Sequence, residues 1–481
     1  MLERLDAARA PWDVVVIGGG ATGVGVALDA ASRGYSTVLV ERGDFAQGTS
    51  SRSTKLIHGG VRYLRQGNVS LVLEALRERA VLRQNAPHLV HDLPFVVPIY
   101  DWWEGPFYGA GLKVYDLLAG RHGFGRSHLL SRDETLARIP TIEHEGLRGG
   151  IVYHDGQFDD ARLVIELVKT AAREGATVVN YMRAESFVTR AEAIEGVVAR
   201  DVETGVAREL RARVVINATG AYCDDVRRLE DQGADPMIQP SQGIHLVLDR
   251  SFLPRESAIM VPHTDDGRVL FVIPWRERVL VGTTDTAIDR MDAEPVPFTH
   301  EIDFLLEHAG RYLSHDPSRR DVLSAFAGIR PLVKNTERMS TASLARDHVI
   351  HVSRGGLVTI TGGKWTTYRK MAEDAVDQAA EIGGLPEHPC RTRDLPIGDR
   401  RKSAPDPSTT EEAARKEMAR TVEDVLARRT RDLILDAKAS AVRAPQVARD
   451  LARTLGRNED WEKQQIEGYR ALSLKYQGAA T

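Results

Sequence analysis

Val14-Val15-Val16-Ile17-Gly18-Gly19-Gly20-Ala21-Thr22-Gly23 decides the fold. Four apolar residues in a row, with no polar alternation, mark a strand buried on both faces of a parallel sheet. Beyond the glycines, Val24, Ala27, Leu28 and Ala31 recur at helical spacing until Gly34 ends the run. Thr37–Val40 is a second apolar strand, so the segment reads as a βαβ unit. Gly18, Gly20 and Gly23 satisfy G-x-G-x-x-G. The first glycine permits the tight turn, the second lets backbone approach a pyrophosphate, and the third lets helix pack on strand. Unbonded N–H groups of the first helical turn attract phosphate. Glu41 closes the second strand, where a carboxylate accepts from ribose hydroxyls and repels the extra phosphate of NADP.

Two later junctions extend the ligand. Residues 214–216 form an apolar strand that ends in Asn217-Ala218-Thr219-Gly220. Residues 357–360 form another, followed by Thr361-Gly362-Gly363-Lys364 and a helix from Thr366 to about Ile382. Strand ends of open α/β sheets gather at the ligand crevice. Three such junctions suit a ligand as long as FAD. A helix over 161–174 leads to a strand over 176–179. Alternating strands over 269–273 and 279–281 suggest an antiparallel substrate domain. The fold expected is α/β: a Rossmann-like FAD-binding domain, an antiparallel-sheet (α+β) substrate domain and a small helical C-terminal domain. The oxidoreductase domain spans 11–390. Its FAD-binding segments are about 11–90, 150–225 and 325–385; its substrate segments are about 91–149 and 226–324. Residues 391–410, rich in Pro, Asp, Arg and Ser, read as a linker. The region 411–481 reads as helices over 411–430, 445–455 and 460–476, with Met418, Val422 and Val425 on one apolar face.

Bulk properties restrict the function classes. A chain of 481 residues is expected to form two or three domains. With 42% hydrophobic and 27% charged residues it has the composition of a soluble globular protein. A net charge of −4 asks for no nucleic-acid partner, so an anionic substrate needs a local cation cluster. Cys223 and Cys390 form neither a disulfide framework nor a metal cluster, and no metal is expected; two thiols favour a reducing cytosol. The first residues carry acids and no apolar core segment, unlike a secretory signal. No apolar run approaches the roughly 20 residues that span a bilayer, so membrane contact should be peripheral.

Longer motifs then point to a family. TSSRSTKLIHGGVRYL (residues 49–64), FVIPW (271–275), GTTD (282–285), GIRPL (328–332) and GGKWTTYR (362–369) stand in the order seen in the FAD-dependent glycerol-3-phosphate dehydrogenases, which the chain strongly resembles. The likeness covers roughly residues 11–390 and continues more weakly over 411–476. It implies a fold of the glutathione-reductase and D-amino-acid-oxidase type with noncovalent FAD. It also implies oxidation of sn-glycerol 3-phosphate to dihydroxyacetone phosphate, by hydride transfer from C2 to flavin N5, with electrons passed to a membrane quinone. The chain departs from the family in a short C-terminal domain, since helices usually stand between the equivalents of Ile397 and Glu411. That leaves the domain's fold, and any homodimer contact it makes, open. Thr22 stands where some members have Asn.

The residues fit that chemistry. A phosphate dianion needs converging cations, best supplied by arginine. Arg62 and Arg330 are the candidates, and Arg330, between Gly328 and Pro331, is expected on a constrained turn. A proton acceptor near neutral pKa serves alcohol oxidation. His245 aligns with a substrate position of the family, whereas His58 reads as structural in the flavin loop. Lys364 at a helix start is electrostatically misplaced, which suggests a role near flavin N1 or the substrate. Tyr63 either donates to substrate or packs. The resemblance places cofactor contacts at Gly18, Gly20, Thr22, Gly23, Glu41 and Arg42. It adds Thr49, Ser50, Ser51, Ser53, Lys55 and Leu56 in the signature loop, then Ala218, Thr219, Gly220 and Gly328. Gly362, Gly363, Lys364, Thr366 and Thr367 complete the set, with helix capping as the alternative for the two threonines. Trp102, Trp103, Phe107 and Tyr108, followed by Lys113, Arg121 and Arg126, suit a bilayer interface or a buried aromatic patch, and Asp101, Glu104 and Asp116 weaken the signal. The expected location is cytoplasmic, peripheral to the cytoplasmic membrane. The alternatives are a glycerol-3-phosphate oxidase using O2, another FAD-dependent oxidase of the D-amino-acid-oxidase type, and a non-catalytic flavin-binding module.

Overall fold

The computed structural model describes residues 1–7, 10–60, 68–120, 123–334, 348–398 and 406–478, and in it the opening strand, Trp12–Ile17, lies inside a parallel sheet. Thr37–Val40 pairs on one side of it and Ala207–Asn217 on the other, both parallel. Val358–Gly362 and Thr177–Val179 extend the parallel set outward, and His348–Val352 closes one edge antiparallel. Alternate residues serve two cores, as the period of a strand requires. Val14 and Val16 pack with Val24, Leu28, Val164 and Ala375 of three helices, Ala21–Ser32, Asp160–Arg173 and Tyr368–Ile382. Val15 and Ile17 pack on the opposite face with Val197 and Leu210. The uninterrupted apolar run is thus the signature of burial from both sides.

A second, ten-stranded sheet carries the long strand Ile238–Asp249. Its pairing is antiparallel except where Ala258–Val261 meets Val90–Ile99. Strand Ser324–Val333 pairs with Ile238–Asp249 from Val333↔Ile238 to Ser324↔Val247. Strand Gly149–Phe158 likewise pairs with Val90–Ile99. Both belong to this sheet, although residues 150–158 and 325–333 are grouped by sequence with the FAD-binding segments. Arg330 therefore lies inside a strand and not on a turn. Two ladder neighbours, Ser241 opposite Arg330 and Gly243 opposite Gly328, hold the backbone extended despite Pro331.

The C-terminal region differs from its sequence reading in two places. Helix Thr410–Glu417 stops at Met418, whose φ of 59° is left-handed, and Ala419 N–H closes the turn on Ala413 O. The break lets the following Asp424–Arg429 turn bury its charges against the first domain, so residues 411–430 are not one helix. Helix Ala437–Leu455 begins eight residues before Pro445 and runs through it. Burial of Ala444, Val447, Ala448 and Leu451 outweighs the one hydrogen bond that proline forfeits. Helix Glu459–Tyr476 completes the region. The polar stretch before it starts docked: Ile397 is buried and its N–H donates to Asn85 O. Among the described residues, no helix is long and apolar enough to cross a membrane.

Candidate active site

The three glycine junctions meet. A Cβ on Gly18, which has φ +116°, would fall 2.6 Å from Ala218 O, and one on Gly23 would fall 1.9 Å from Gly18 O. Only glycine permits that approach of turn, helix and neighbouring strand end. Thr361 Oγ1 donates to Gly220 O at 3.2 Å, which joins the second junction to the third. At Gly220, φ +58°, a Cβ would meet nothing within 4 Å, so this turn borders open space. Ser50 Oγ accepts from Ala21 N–H at the start of the nucleotide helix. Glu41 accepts from Gly19 N–H at 2.6 Å and Gly43 N–H at 2.8 Å, while burial pushes its carboxyl above the usual range. Arg42 stacks over Tyr222, 4.0 Å from the ring centre, beside the second junction. Thr22 lies in the first turn of the helix. A glycine cradle at a helix N-terminus, with an acid at the next strand end, fits the pyrophosphate and ribose of a dinucleotide.

A cavity of about 220 Å³ lies where the third junction faces the second sheet. Signature-loop residues Thr49, Ser53 and Leu56 line it, as do Gly328, Arg330, Gly363, Lys364, Thr366 and His245. Arg62 and Tyr63 lie outside the described residues. Thr49 Oγ1 donates to Ile329 O at 2.6 Å and Thr366 Oγ1 to His58 O at 3.3 Å, so both hydroxyls also tie elements together. His58 lines the cavity, and its carbonyl is the acceptor of that Thr366 bond. Thr367 Oγ1 donates to Lys364 O within the 3₁₀ turn Trp365–Thr367, ahead of helix Tyr368–Ile382. Lys364 is thus the residue that enters the turn, close to where its sequence position suggests. Gly362 and Gly363 both take positive φ, and a Cβ at Gly363 would fall 2.5 Å from Met371 Sδ.

Among the described residues, four protein groups orient Arg330. Its guanidinium donates to Thr283 Oγ1 (3.0 Å), Thr284 O (2.9 Å), Gln242 O (3.4 Å) and Asp285 Oδ1 (3.3 Å). Gly243 makes the space: a Cβ there would stand 2.3 Å from Arg330 Nη2. His245 is buried and neutral at pH 7, because burial, and then the Lys55 and Arg330 cations, hold its imidazole well below the ordinary value. Lys55 is turned into the protein. Its ammonium donates to Asp160 Oδ2 (2.7 Å) and Ser51 O (2.8 Å), and burial pulls its pKa down to about 8 despite Asp160.

Arg52, Thr54 and Trp365 also line the cavity, though sequence reasoning assigns them no role. Arg52 is buried and pairs with Glu294 at 2.6 Å, and Tyr476 Oη donates to the other Glu294 oxygen at 2.7 Å. Arg52 and Thr54 sit within the quoted signature, which was the available signal. Glu294 and Tyr476 carry no local signal, since their partners come from distant segments. The aromatic stretch is largely exposed: Trp102 is 77% accessible, and Trp103, Phe107, Leu117 and Leu129 are also open to solvent.

Comparisons with known proteins place this geometry in a family. The model for "FAD dependent oxidoreductase" matches residues 13–369, and that for the "C-terminal domain of alpha-glycerophosphate oxidase" matches 393–465. A mitochondrial glycerol-3-phosphate dehydrogenase from Rattus norvegicus is 47% identical over 396 residues, covering 79% of this chain and 54% of its own. Its counterpart from Arabidopsis thaliana is 48% identical over 401 residues, covering 80% and 64%. The chain thus spans between half and two thirds of the length of these curated relatives. A glycerol-3-phosphate dehydrogenase from Bacillus halodurans, solved complexed with FAD, superposes with a TM-score of 0.79 at 29% identity, covering 98% of this chain and 96% of that one. The glycine cradle, the cavity beside its third junction and a family match over most of the sequence agree: the chain belongs to the FAD-dependent oxidoreductases.

Proposed function

We propose that this protein oxidises sn-glycerol 3-phosphate to dihydroxyacetone phosphate and passes the electrons to a quinone. The observation that carries the reading is the meeting of an oriented Arg330, a neutral buried His245 and Lys364 around one cavity beside the glycine junctions. Similarity to glycerol-3-phosphate dehydrogenases supports the same substrate. Bound FAD supplies the hydride acceptor. Arg330, with its fork aimed by Thr283, Thr284 and Asp285, takes the phosphate. His245, uncharged at neutral pH, accepts the alcohol proton as the carbonyl forms. Lys364 adds positive charge where negative charge develops. Leu56, Leu332 and Trp365 give the cavity apolar walls that limit water. Arg62 and Tyr63, outside the described residues, belong to the same proposed site.

A long-chain quinone resides in a bilayer. The exposed face around helix Glu104–Ala119, with Trp102, Phe107, Leu117 and Leu129, suits peripheral insertion. The match to the C-terminal domain of alpha-glycerophosphate oxidase keeps oxygen as the alternative acceptor. Steady-state oxidation with a short-chain quinone, scored against peroxide formed in air, separates the two. Arg330→Ala should raise KM for glycerol 3-phosphate by roughly 10²-fold, about the value of a charge-assisted hydrogen-bonded pair, and leave turnover of free glycerol nearly unchanged. Equal losses on both substrates would remove Arg330 from the phosphate role.

A further inference from the structure

Thr54 and His245 meet in the cavity wall. His245 pairs across the ladder with Gly282, and a Cβ there would fall 2.2 Å from His245 Cδ2. Phe326, its partner on the other side, stacks on the imidazole at 5.0 Å and 15°. The ring is therefore fixed in place by both neighbouring strands. His245 Nε2 lies 2.9 Å from Thr54 Oγ1, whereas the buried Nδ1 has no hydrogen-bond partner among the described residues. A buried N–H without an acceptor is rarer than a lone pair without a donor, because the unmade bond is expensive. The proton therefore belongs on Nε2, donating to Thr54, and Nδ1 keeps its lone pair.

The segment carrying Thr54 is clamped on both sides. Ser53 N–H (3.0 Å), Ser53 Oγ (2.7 Å) and Lys55 Nζ (2.7 Å) all donate to Asp160 Oδ2. Lys55 adopts φ 62°, a left-handed conformation held by that shared anchor. Arg431, from the C-terminal helices, donates to Asp160 Oδ1 at 2.7 Å and to Ser51 O at 3.1 Å.

We infer that Thr54 is a positioning residue: its hydroxyl holds the His245 proton on Nε2 and so keeps the lone pair of the neutral ring on Nδ1, while Asp160 and Arg431 keep Thr54 in place. The inference rests on reading His245 as the proton acceptor. On that reading the imidazole would take the alcohol proton, bound FAD would supply the acceptor for the carbon's hydride and its electron pair, and the carbonyl would remain.

Three variants test it: Thr54→Val, which keeps the shape without the hydroxyl, Thr54→Ser, which keeps the hydroxyl, and His245→Gln. In FAD-loaded protein labelled with 15N-histidine, two-bond 1H–15N correlations report the tautomer, and His245 is identified by its loss in His245→Gln. Nε2 should carry the proton in wild type and in Thr54→Ser, and a mixture should appear in Thr54→Val. In anaerobic single turnovers with sn-glycerol 3-phosphate, Thr54→Val should lower the limiting rate by roughly 10- to 100-fold, as loss of an orienting partner does. Substrate affinity should change little, Thr54→Ser should recover the rate, and adding Thr54→Val to His245→Gln should cost nothing further. A wild-type proton on Nδ1 overturns the inference, as does a fast Thr54→Val beside a slow His245→Gln. A fast His245→Gln instead refutes His245 as the acceptor and takes the inference with it. If wild type is not reduced by this substrate, the proposed function fails, and the tautomer spectra still decide the role of Thr54.

Discussion

Arg330 shows how the site prepares a cation before any substrate arrives. Its four contacts among the described residues come from strand Ile238–Asp249 and the 283–285 segment, and the space for them exists because residue 243 has no side chain. Gly243→Ala should shift the guanidinium and lower kcat/KM for glycerol 3-phosphate by roughly 10²-fold, the scale of a misplacement near 1 Å, while FAD content stays at the wild-type level. His245 makes a second prediction, on pH. Its folded pKa is depressed by burial and by Lys55 and Arg330, with Thr54 the hydrogen-bond partner on its ring. Protonation is therefore easier in the unfolded chain, where histidine titrates near about 6.5. Its contribution to stability is complete above that pH and is lost as pH falls below it. Urea-unfolding free energies from about pH 7.5 to about pH 5 should fall more steeply in wild type than in His245→Gln, by up to about 1.4 kcal/mol per pH unit. Parallel curves would mean that His245 is not held neutral. Arg330 and Lys364 stand out in the sequence because they sit in quoted motifs, and His245 because it aligns with a family position; the structure lines one cavity with all three. The Thr54–His245 contact was not legible, because the two are 191 positions apart and only the docking of the signature loop onto the second sheet brings them together.

The elements that read most clearly were those whose surroundings leave one choice. A strand buried on both faces must be continuously apolar, and 14–17 is. The glycine cradle is equally constrained. Gly23→Ala would drive a Cβ into Gly18 O, so the variant should purify with little FAD and a lowered unfolding temperature. Normal flavin content would contradict the close approach. Arg330 was misplaced onto a turn because Pro331 suggests one, yet a strand tolerates proline where its N–H has no ladder bond to make. The C-terminal helices were misread for a related reason. Local propensity runs through 411–430, but Asp44 draws Arg428 and Arg429 into the first domain, each at 2.6 Å, and the helix breaks to deliver them. Against burial, those two guanidiniums hold the Asp44 carboxyl below the usual range. Arg431 repeats the pattern at Asp160, fully buried. Arg431→Ala leaves Asp160 with one cation fewer and should destabilise by about 3–5 kcal/mol in denaturant unfolding, whereas an exposed pair such as Arg415–Glu411 should be worth under about 1 kcal/mol.

Over the whole molecule, the second sheet and the C-terminal helices close around the same loop, residues 49–58. The parallel sheet gives that loop its glycine junctions, the second sheet supplies His245 and Arg330, and the C-terminal helices supply Arg431 and the Tyr476 contact to Glu294. A group of exposed apolar side chains, Trp102, Phe107 and Leu117, lies elsewhere, around helix Glu104–Ala119. If that face is where electrons leave for a bilayer quinone, Trp102→Ser with Leu117→Ser should reduce sedimentation with anionic vesicles and turnover with a long-chain quinone. Flavin reduction by substrate should be untouched; unchanged vesicle binding would rule out this face. The central claim is that one cavity binds a phosphorylated alcohol and oxidises it. Its most direct test is the absorbance of FAD-loaded protein under argon after addition of sn-glycerol 3-phosphate. The account predicts complete bleaching of the flavin band, far faster than on addition of glycerol at the same concentration. A band that stays oxidised with glycerol 3-phosphate, yet bleaches with dithionite, would contradict it.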